Sequence, residues 1–142
     1  MNIRQAGQED AAGIHALEKL IFPDPWTKEQ IAFEIQNQPV SIVKVLVNAN
    51  RIYGYIFVHF VGQEIQILNI AVHPAVRKNG WGTILLENML QLADRDTDIF
   101  LEVRSSNRAA ISVYEKIGFQ SFDCRKAYYQ DGEDAIVMRK HI

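Results

Sequence analysis

Residues 68–90 have the sequence LNIAVHPAVRKNGWGTILLENML, which joins an apolar strand to a strong helix through a loop with two glycines. The strand ends with Leu68 to Val72, which are nearly all apolar, as is typical of a buried strand. Pro74 closes the strand, since proline cannot donate to a ladder. The helix that follows carries a broad apolar stripe, formed by Ile84, Leu85, Leu86, Met89, Leu90, Leu92 and Ala93.

This order of strand, glycine loop and helix predicts an anion-binding site. The first backbone N–H groups of a helix have no partner within it, and the helix dipole is positive at that end. Gly80 and Gly82 let the backbone approach a diphosphate closely, and Arg77 and Lys78 add positive charge beside it. The residues therefore predict a ligand that carries a pyrophosphate. On the glycines alone, a tight turn without a ligand is an equally good interpretation.

Two common nucleotide-binding loops are excluded by the spacing of these residues. A P-loop ends in Gly-Lys-Ser/Thr, whereas Gly82 is followed by Thr83 and Ile84. A dinucleotide-binding loop needs a third glycine, and Leu85 occupies that position. The pyrophosphate therefore belongs to another class of ligand.

The rest of the chain alternates between the periodicities of strands and helices. Thr27 and Gln30 have the spacing of a capping box, and Gly118 is a suitable residue to end the last helix. The order of elements predicts one domain of residues 1–142, an α/β fold with a mixed sheet and helices on both faces. Strands are predicted at residues 2–6, 41–47, 52–61, 64–72, 98–103, 119–129 and 134–140, and helices at residues 9–21, after Thr27, after Gly82 and from 107 to 117.

Composition narrows the class of protein. The 142 residues, 48% of them apolar and 23% charged, are typical of one soluble globular domain. The net charge of −2 gives no bulk positive field for nucleic acid or an anionic membrane. A single cysteine, the absence of a signal peptide and the absence of an apolar run near the ~20 residues of a membrane span predict a cytoplasmic protein. The four histidines lack metal-ligand spacing, so no metal is expected.

Residues 101–119, LEVRSSNRAAISVYEKIGF, contain a second group of candidate residues. Glu102 interrupts an apolar strand, so it either faces water by simple alternation or serves as a general base at the strand end. Tyr114 lies two helical turns after Asn107 and on the same face, where a packing aromatic is the plainer interpretation. Local pattern alone leaves both alternatives open.

Both segments together resemble the GNAT superfamily of acetyltransferases. Residues 77–82 match the signature Arg/Gln-x-x-Gly-x-Gly/Ala, and residues 107–119 match Asn-x-x-Ala-x-x-Leu/Val-Tyr-x-x-x-Gly-Phe. The resemblance implies a mostly antiparallel mixed sheet of six to seven strands with about four helices, its strands splayed at the site of acetyl-CoA. It also implies which residues bind acetyl-CoA. These are Asn107 and Tyr114, the strand edge formed by Ile70, Ala71 and Val72, and the loop residues Arg77, Lys78, Asn79, Gly80, Trp81, Gly82 and Thr83.

The resemblance also gives the catalytic residues their roles. It implies Glu102 as general base, for which we expect partial burial or action through a water molecule, and Tyr114 as general acid toward the leaving thiolate. The implied reaction is direct attack of an amine on the acetyl thioester in a ternary complex. An α-amine, with a reference pKa of about 8, needs only modest help to attack at neutral pH.

Three further segments resemble the RimI-type subgroup, which acetylates the N-terminal amine of a ribosomal protein. They are residues 22–27 (FPDPWT), residues 101–104 (LEVR) and the Tyr128-Tyr129 pair followed by residues 132–138 (GEDAIVM). The resemblance places Trp26, Tyr128 and Tyr129 in the acceptor groove, although packing explains them equally well. Glu133 and Asp134 could attract a cationic amine, but a solvated turn is the plainer interpretation. The implied partner is a protein or peptide N-terminus, such as that of a ribosomal protein, bound by a monomer or weak homodimer without nucleic acid or membrane.

Two other functions compete with this interpretation. One is a small-molecule acetyltransferase of the same fold, acting on a polyamine or an aminoglycoside. The other is a non-catalytic acyl-CoA-binding module, which would need neither Glu102 nor Tyr114. Lys78, Asn79 and the bulky Trp81 depart from the usual residues of the loop, and Trp81 is expected to alter packing beneath it.

Overall fold

A computed structural model describes residues 1–142 and shows seven strands and four α-helices in the predicted order. Short 3₁₀ turns cover Gln8–Asp10 and Pro74–Val76. The elements are β1 (Asn2–Gln5), α1 (Ala11–Ile21), α2 (Lys28–Gln36), β2 (Ser41–Asn48), β3 (Arg51–Val61), β4 (Glu64–Val72), α3 (Trp81–Leu90), β5 (Asp98–Arg104), α4 (Arg108–Ile117), β6 (Gln120–Arg125) and β7 (Ala135–His141).

The seven strands form one sheet in the order β1-β2-β3-β4-β5-β7-β6. Every neighbouring pair is antiparallel except β4 and β5, which are parallel. The predicted mixed, mostly antiparallel sheet is therefore confirmed. One boundary is wrong, because the strand predicted over residues 119–129 ends at Arg125. Beyond it the chain turns at Ala127, which has a φ of 50° and donates its N–H to the Asp134 carboxylate.

Helices cover both faces of the sheet, as predicted. Helices α1 and α2 pack on one face of the first three strands, where Ile14, Leu17, Ile31 and Phe57 are buried. Helices α3 and α4 cover the other face, over a second core that includes Leu85, Leu86, Met89, Leu101 and Phe119. None of the helices has the length and apolar character that crossing a lipid bilayer requires.

Residues at three helix ends explain where α2 and α4 start and where α4 stops. The Thr27 hydroxyl accepts from the Gln30 N–H while the Gln30 side chain accepts from the Thr27 N–H, which confirms the capping box of α2. The Asn107 side chain caps α4 by accepting from the Ala110 N–H. Gly118 ends α4 in the left-handed conformation.

Strands β4 and β5 separate after a short parallel pairing. They pair from Glu64 with Asp98 to Ile67 with Leu101 and no further. On the other side of β4, Phe57 of β3 faces Asn69 and Val58 faces Ile67, so Leu68 is the extra residue of a β-bulge. Residues 68–72 therefore have a backbone edge that β5 does not cover. The splay expected from the family resemblance is present.

Candidate active site

The gap between β4 and β5 opens into two adjoining clefts. A narrow cleft of about 220 Å³ runs through the gap. A wider groove of about 510 Å³ lies on the same sheet face as α1 and α2, over the strands beyond β3 that these helices do not cover. Both are lined by Trp26, Leu68, Glu102 and Tyr129. Glu102 therefore lies where the two clefts join, whereas Tyr114 lines only the narrow cleft and Tyr128 only the wider groove.

Glu102 lies at this junction because of its position in β5. Leu101 and Val103 point into the core beneath α3 and α4, so alternation turns Glu102 to the uncovered face. The Glu102 side chain is 31% exposed. The nearest cation is Arg125, whose Nη2 lies 3.9 Å from Glu102 Oε1. Hydrogen bonding to Glu102 is the largest cause that raises the pKa of the Tyr128 hydroxyl. The carboxylate is thus partly exposed at the junction, with one loose ion-pair partner, Arg125.

Tyr114 lines the narrow cleft from the side of α4. Its ring packs edge-on against Phe119, with 6.0 Å between the centroids. Burial, with a smaller contribution from Tyr129, raises the pKa of the Tyr114 hydroxyl to about 12. The group therefore stays protonated at any physiological pH and is available as a hydrogen-bond donor in the cleft.

The loop before α3 has the backbone geometry of an anion cradle. Lys78 and Gly80 have φ values of 68° and 82°, and α3 begins without a side-chain cap. The first amides of the helix thus lack a side-chain partner. Arg77 is part of the scaffold of this loop, because its Nε donates to the Val72 carbonyl at 3.0 Å.

The acceptor-side aromatics lie around the mouth of the wider groove. Trp26 packs against Phe57 with ring centroids 4.9 Å apart, and the rings of Tyr128 and Tyr129 lie 5.2 Å apart. The guanidinium of Arg104 stacks over Tyr129 at 4.1 Å. The structure therefore brings the three predicted residues to one groove, and part of each ring also packs against the protein.

Arg104 and Glu133 organise the loop that carries the tyrosines, a role that the sequence interpretation assigned to neither residue. Arg104 Nη1 donates to Asp131 at 2.8 Å and to Glu133 at 3.0 Å. Glu133 also accepts from the Ser106 N–H at 2.8 Å, just before α4. Glu133 and Asp134 follow the turn at residues 131–132 with side chains 22% and 34% exposed, and both carboxylates also hold the backbone in place. The sequence signal for this role was the run of residues 132–135 (GEDA), in which two carboxylates directly follow a turn glycine.

Glu133 is expected to make stability depend on pH in the acid range. Hydrogen bonds from Ser106 and Arg104 lower the pKa of Glu133 to about 2. A lowered pKa stabilises the fold fully above the ordinary value of about 4.5, and this contribution is lost as the pH falls through 2. Urea unfolding followed by circular dichroism should thus show Glu133→Gln less stable than the parent at pH 6, with the gap narrowing below pH 4. A constant gap from pH 6 to pH 2 would contradict this assignment.

Glu18 of α1 is a third residue that the sequence interpretation missed. It is 1% exposed and lines the narrow cleft together with Glu102. Its position on the buried side of an amphipathic helix, next to Leu17, was the available signal.

Comparison with known proteins agrees with this geometry. Residues 11–119 match the family model described as the acetyltransferase (GNAT) family. The chain is 34% identical over 139 residues to a putative [ribosomal protein bS18]-alanine N-acetyltransferase of Bacillus subtilis, covering 96% of this chain and 92% of that protein. It is 36% identical over 119 residues to the [ribosomal protein bS18]-alanine N-acetyltransferase of Salmonella typhimurium, and the match covers 80% of this chain and 79% of that protein.

A solved structure shows the same architecture. The crystal structure of the ribosomal-protein-S18-alanine N-acetyltransferase from Escherichia coli superposes with a TM-score of 0.87 at 29% identity. The match covers 98% of this chain and 92% of that one. With the family model spanning most of the chain and relatives above 30% identity along nearly its whole length, the chain belongs to the GNAT family of acetyltransferases.

Proposed function

We propose that the chain transfers the acetyl group of acetyl-CoA to the N-terminal α-amine of a protein, with a ribosomal protein of the bS18 type as acceptor. The observation that carries this proposal is the placement of Glu102 and Tyr114 on one narrow cleft that joins an open groove. The groove has a volume of about 510 Å³ and is lined by Trp26, Tyr128 and Tyr129, which would contact the acceptor. The curated relatives are alanine N-acetyltransferases of ribosomal protein bS18.

Acetyl-CoA would occupy the α3 side of the β4–β5 gap. The diphosphate would accept from the uncapped amides at the start of α3, and the pantetheine arm would pair with the free edge at residues 70–72. The Asn107 Oδ1 is engaged as helix cap, which leaves its Nδ2 to donate to the ligand. The thioester would then lie in the narrow cleft between Glu102 and Tyr114.

In the proposed reaction the neutral amine nitrogen forms a bond to the acetyl carbon while the carbon–sulfur bond breaks. Glu102 accepts the amine proton, directly or through one water molecule. A free thiol has a pKa near 8.5, so complete loss of the proton from Tyr114, with its pKa of about 12, is uphill. Tyr114 therefore acts mainly by donating a hydrogen bond to the negative charge that develops on sulfur.

A transfer assay with radiolabelled acetyl-CoA tests the acceptor class. Three acceptors are compared: a short peptide with a free N-terminus, the same peptide with blocked lysines, and spermidine. Labelling of both peptides at the α-amine is expected. Transfer to spermidine alone would reject the N-terminal assignment, and tight coenzyme A binding without transfer would show a non-catalytic binder.

Gly80→Ala is expected to weaken acetyl-CoA binding by about tenfold. A non-glycine residue at a φ of 82° costs roughly 1–2 kcal/mol, so the loop would leave the conformation that aims its amides at the diphosphate. Gly62→Ala is the matched control, because Gly62 has a φ of 60° in a turn far from this loop. Isothermal titration calorimetry should show an unchanged Kd for the control. Equal weakening in both variants would indicate general destabilisation.

A further inference from the structure

The carboxylate of Glu18 connects three separate elements beside the narrow cleft. Its Oε2 accepts from the backbone N–H of Trp26, in the loop between α1 and α2, at 2.8 Å. Its Oε1 accepts from the Tyr55 hydroxyl of β3 and from Asn69 Nδ2 of β4, each at 2.5 Å. Glu18, Trp26 and Asn69 all line the narrow cleft. One buried side chain thus fixes the acceptor loop to the bulged strand.

Neutral donors alone hold this carboxylate. Burying a charge without a counter-ion is costly unless its hydrogen-bonding sites are occupied. Burial and the bond to Glu18 both raise the pKa of Tyr55, which keeps the proton on the tyrosine and leaves Glu18 as the acceptor. All three donors are therefore needed together, and the loss of any one loosens the others.

The two elements that Glu18 joins both form the acceptor end of the cleft. Trp26 lines the cleft and the groove, and Asn69 follows Leu68, the bulge residue at which β4 leaves β5. The loop before α3 shares no hydrogen bond with this cluster. A disturbance at Glu18 should consequently affect the acceptor more than the diphosphate end of the coenzyme.

We propose that Glu18 is a positioning residue for the acceptor, which holds Trp26 and the bulged segment of β4 at the spacing that the incoming N-terminus requires. This inference rests on the proposed acetyltransferase function. It predicts a change in the acceptor KM, with smaller changes in kcat and in the KM for acetyl-CoA.

Glu18→Gln tests the proposal by steady-state kinetics. Its single carbonyl oxygen cannot serve Trp26 on one side and Tyr55 with Asn69 on the other. The peptide KM is expected to rise about tenfold, equivalent to ~1.4 kcal/mol, because a hydrogen bond to a charged group is lost. The KM for acetyl-CoA and kcat should each change by less than about threefold. A fall in kcat with an unchanged peptide KM would overturn the proposal.

Asp10→Asn is the matched control for loss of a buried carboxylate. Asp10 is 6% exposed, starts the same helix and accepts from Arg4 and the Gly7 N–H, away from both clefts. It is expected to lower the melting temperature without moving either KM. If Glu18→Gln behaves in the same way, its role is purely structural and the proposal is wrong.

A second variant and a second readout keep the test decisive. Tyr55→Phe keeps the buried ring, removes one donor and should raise the peptide KM by a smaller factor; if Glu18→Gln does not fold, an unchanged KM in Tyr55→Phe overturns the proposal. In a Trp81→Phe background, Trp26 is the remaining tryptophan, and Glu18→Gln should make it more accessible to acrylamide quenching. Equal quenching with and without Glu18→Gln overturns the proposal, and this readout does not require acetyl transfer. Absence of peptide acetylation by the parent would separately reject the proposed function.

Discussion

Glu102→Gln is expected to lower kcat for transfer to a peptide N-terminus by about 10²- to 10⁴-fold, the range that one general base contributes. The glutamine keeps the size of the side chain and its place in β5 but cannot accept the amine proton. The one cation near Glu102, Arg125, lies 3.9 Å away and is 56% exposed, so the substitution leaves no buried charge unpaired. Acetyl-CoA binding, measured by calorimetry, should therefore remain at the parent value.

Glu64→Gln is the control for this substitution. Glu64 lines the same groove from β4 but lies at the far end of the strand from the gap. It should keep nearly the parent kcat. In Glu102→Gln, the residual rate should increase with pH up to the pKa of the acceptor amine, about 8, because the solvent must then remove the proton. Parent-like kcat at saturating substrates would remove Glu102 from the mechanism.

Tyr114→Phe is expected to lower kcat by about 10²-fold, the loss typical of one hydrogen-bond donor to developing negative charge. The raised pKa keeps the hydroxyl protonated below about 12, so the ratio of parent to variant rates should be constant from pH 6 to pH 10. Tyr53→Phe is a suitable control, since Tyr53 of β3 packs against His73 away from the cleft. A parent rate that falls near pH 10, with no such fall in Tyr114→Phe, would show that Tyr114 ionises earlier.

The features that the sequence predicted well depend on neighbours along the chain. The capping box at Thr27 and the left-handed Gly118 need contacts only three or four residues away. The loop before α3 is similar, because its glycines and the uncapped helix form one continuous segment. The family resemblance brought Glu102 and Tyr114 to one site, and the structure places both on one cleft, while their catalytic roles stay predictions.

The features that were missed depend on contacts between distant segments. The strand pattern continues past Arg125, and only the bond between Ala127 and Asp134 shows that the chain has turned. Glu18 is separated by 37 residues from Tyr55 and by 51 from Asn69, so helical periodicity gives no sign of its partners. Local propensity has no access to such long-range donors.

The brief parallel pairing of β4 and β5 has a thermodynamic consequence for the whole domain. Four residue pairs connect a half-sheet of four strands to a half-sheet of three, and the backbone edge beyond them is left open. A strand-like ligand arm in that opening would complete the ladder and couple the cooperative unfolding of the two halves. The co-substrate would then act as a folding ligand, whose release after turnover returns the domain to its less tightly joined form.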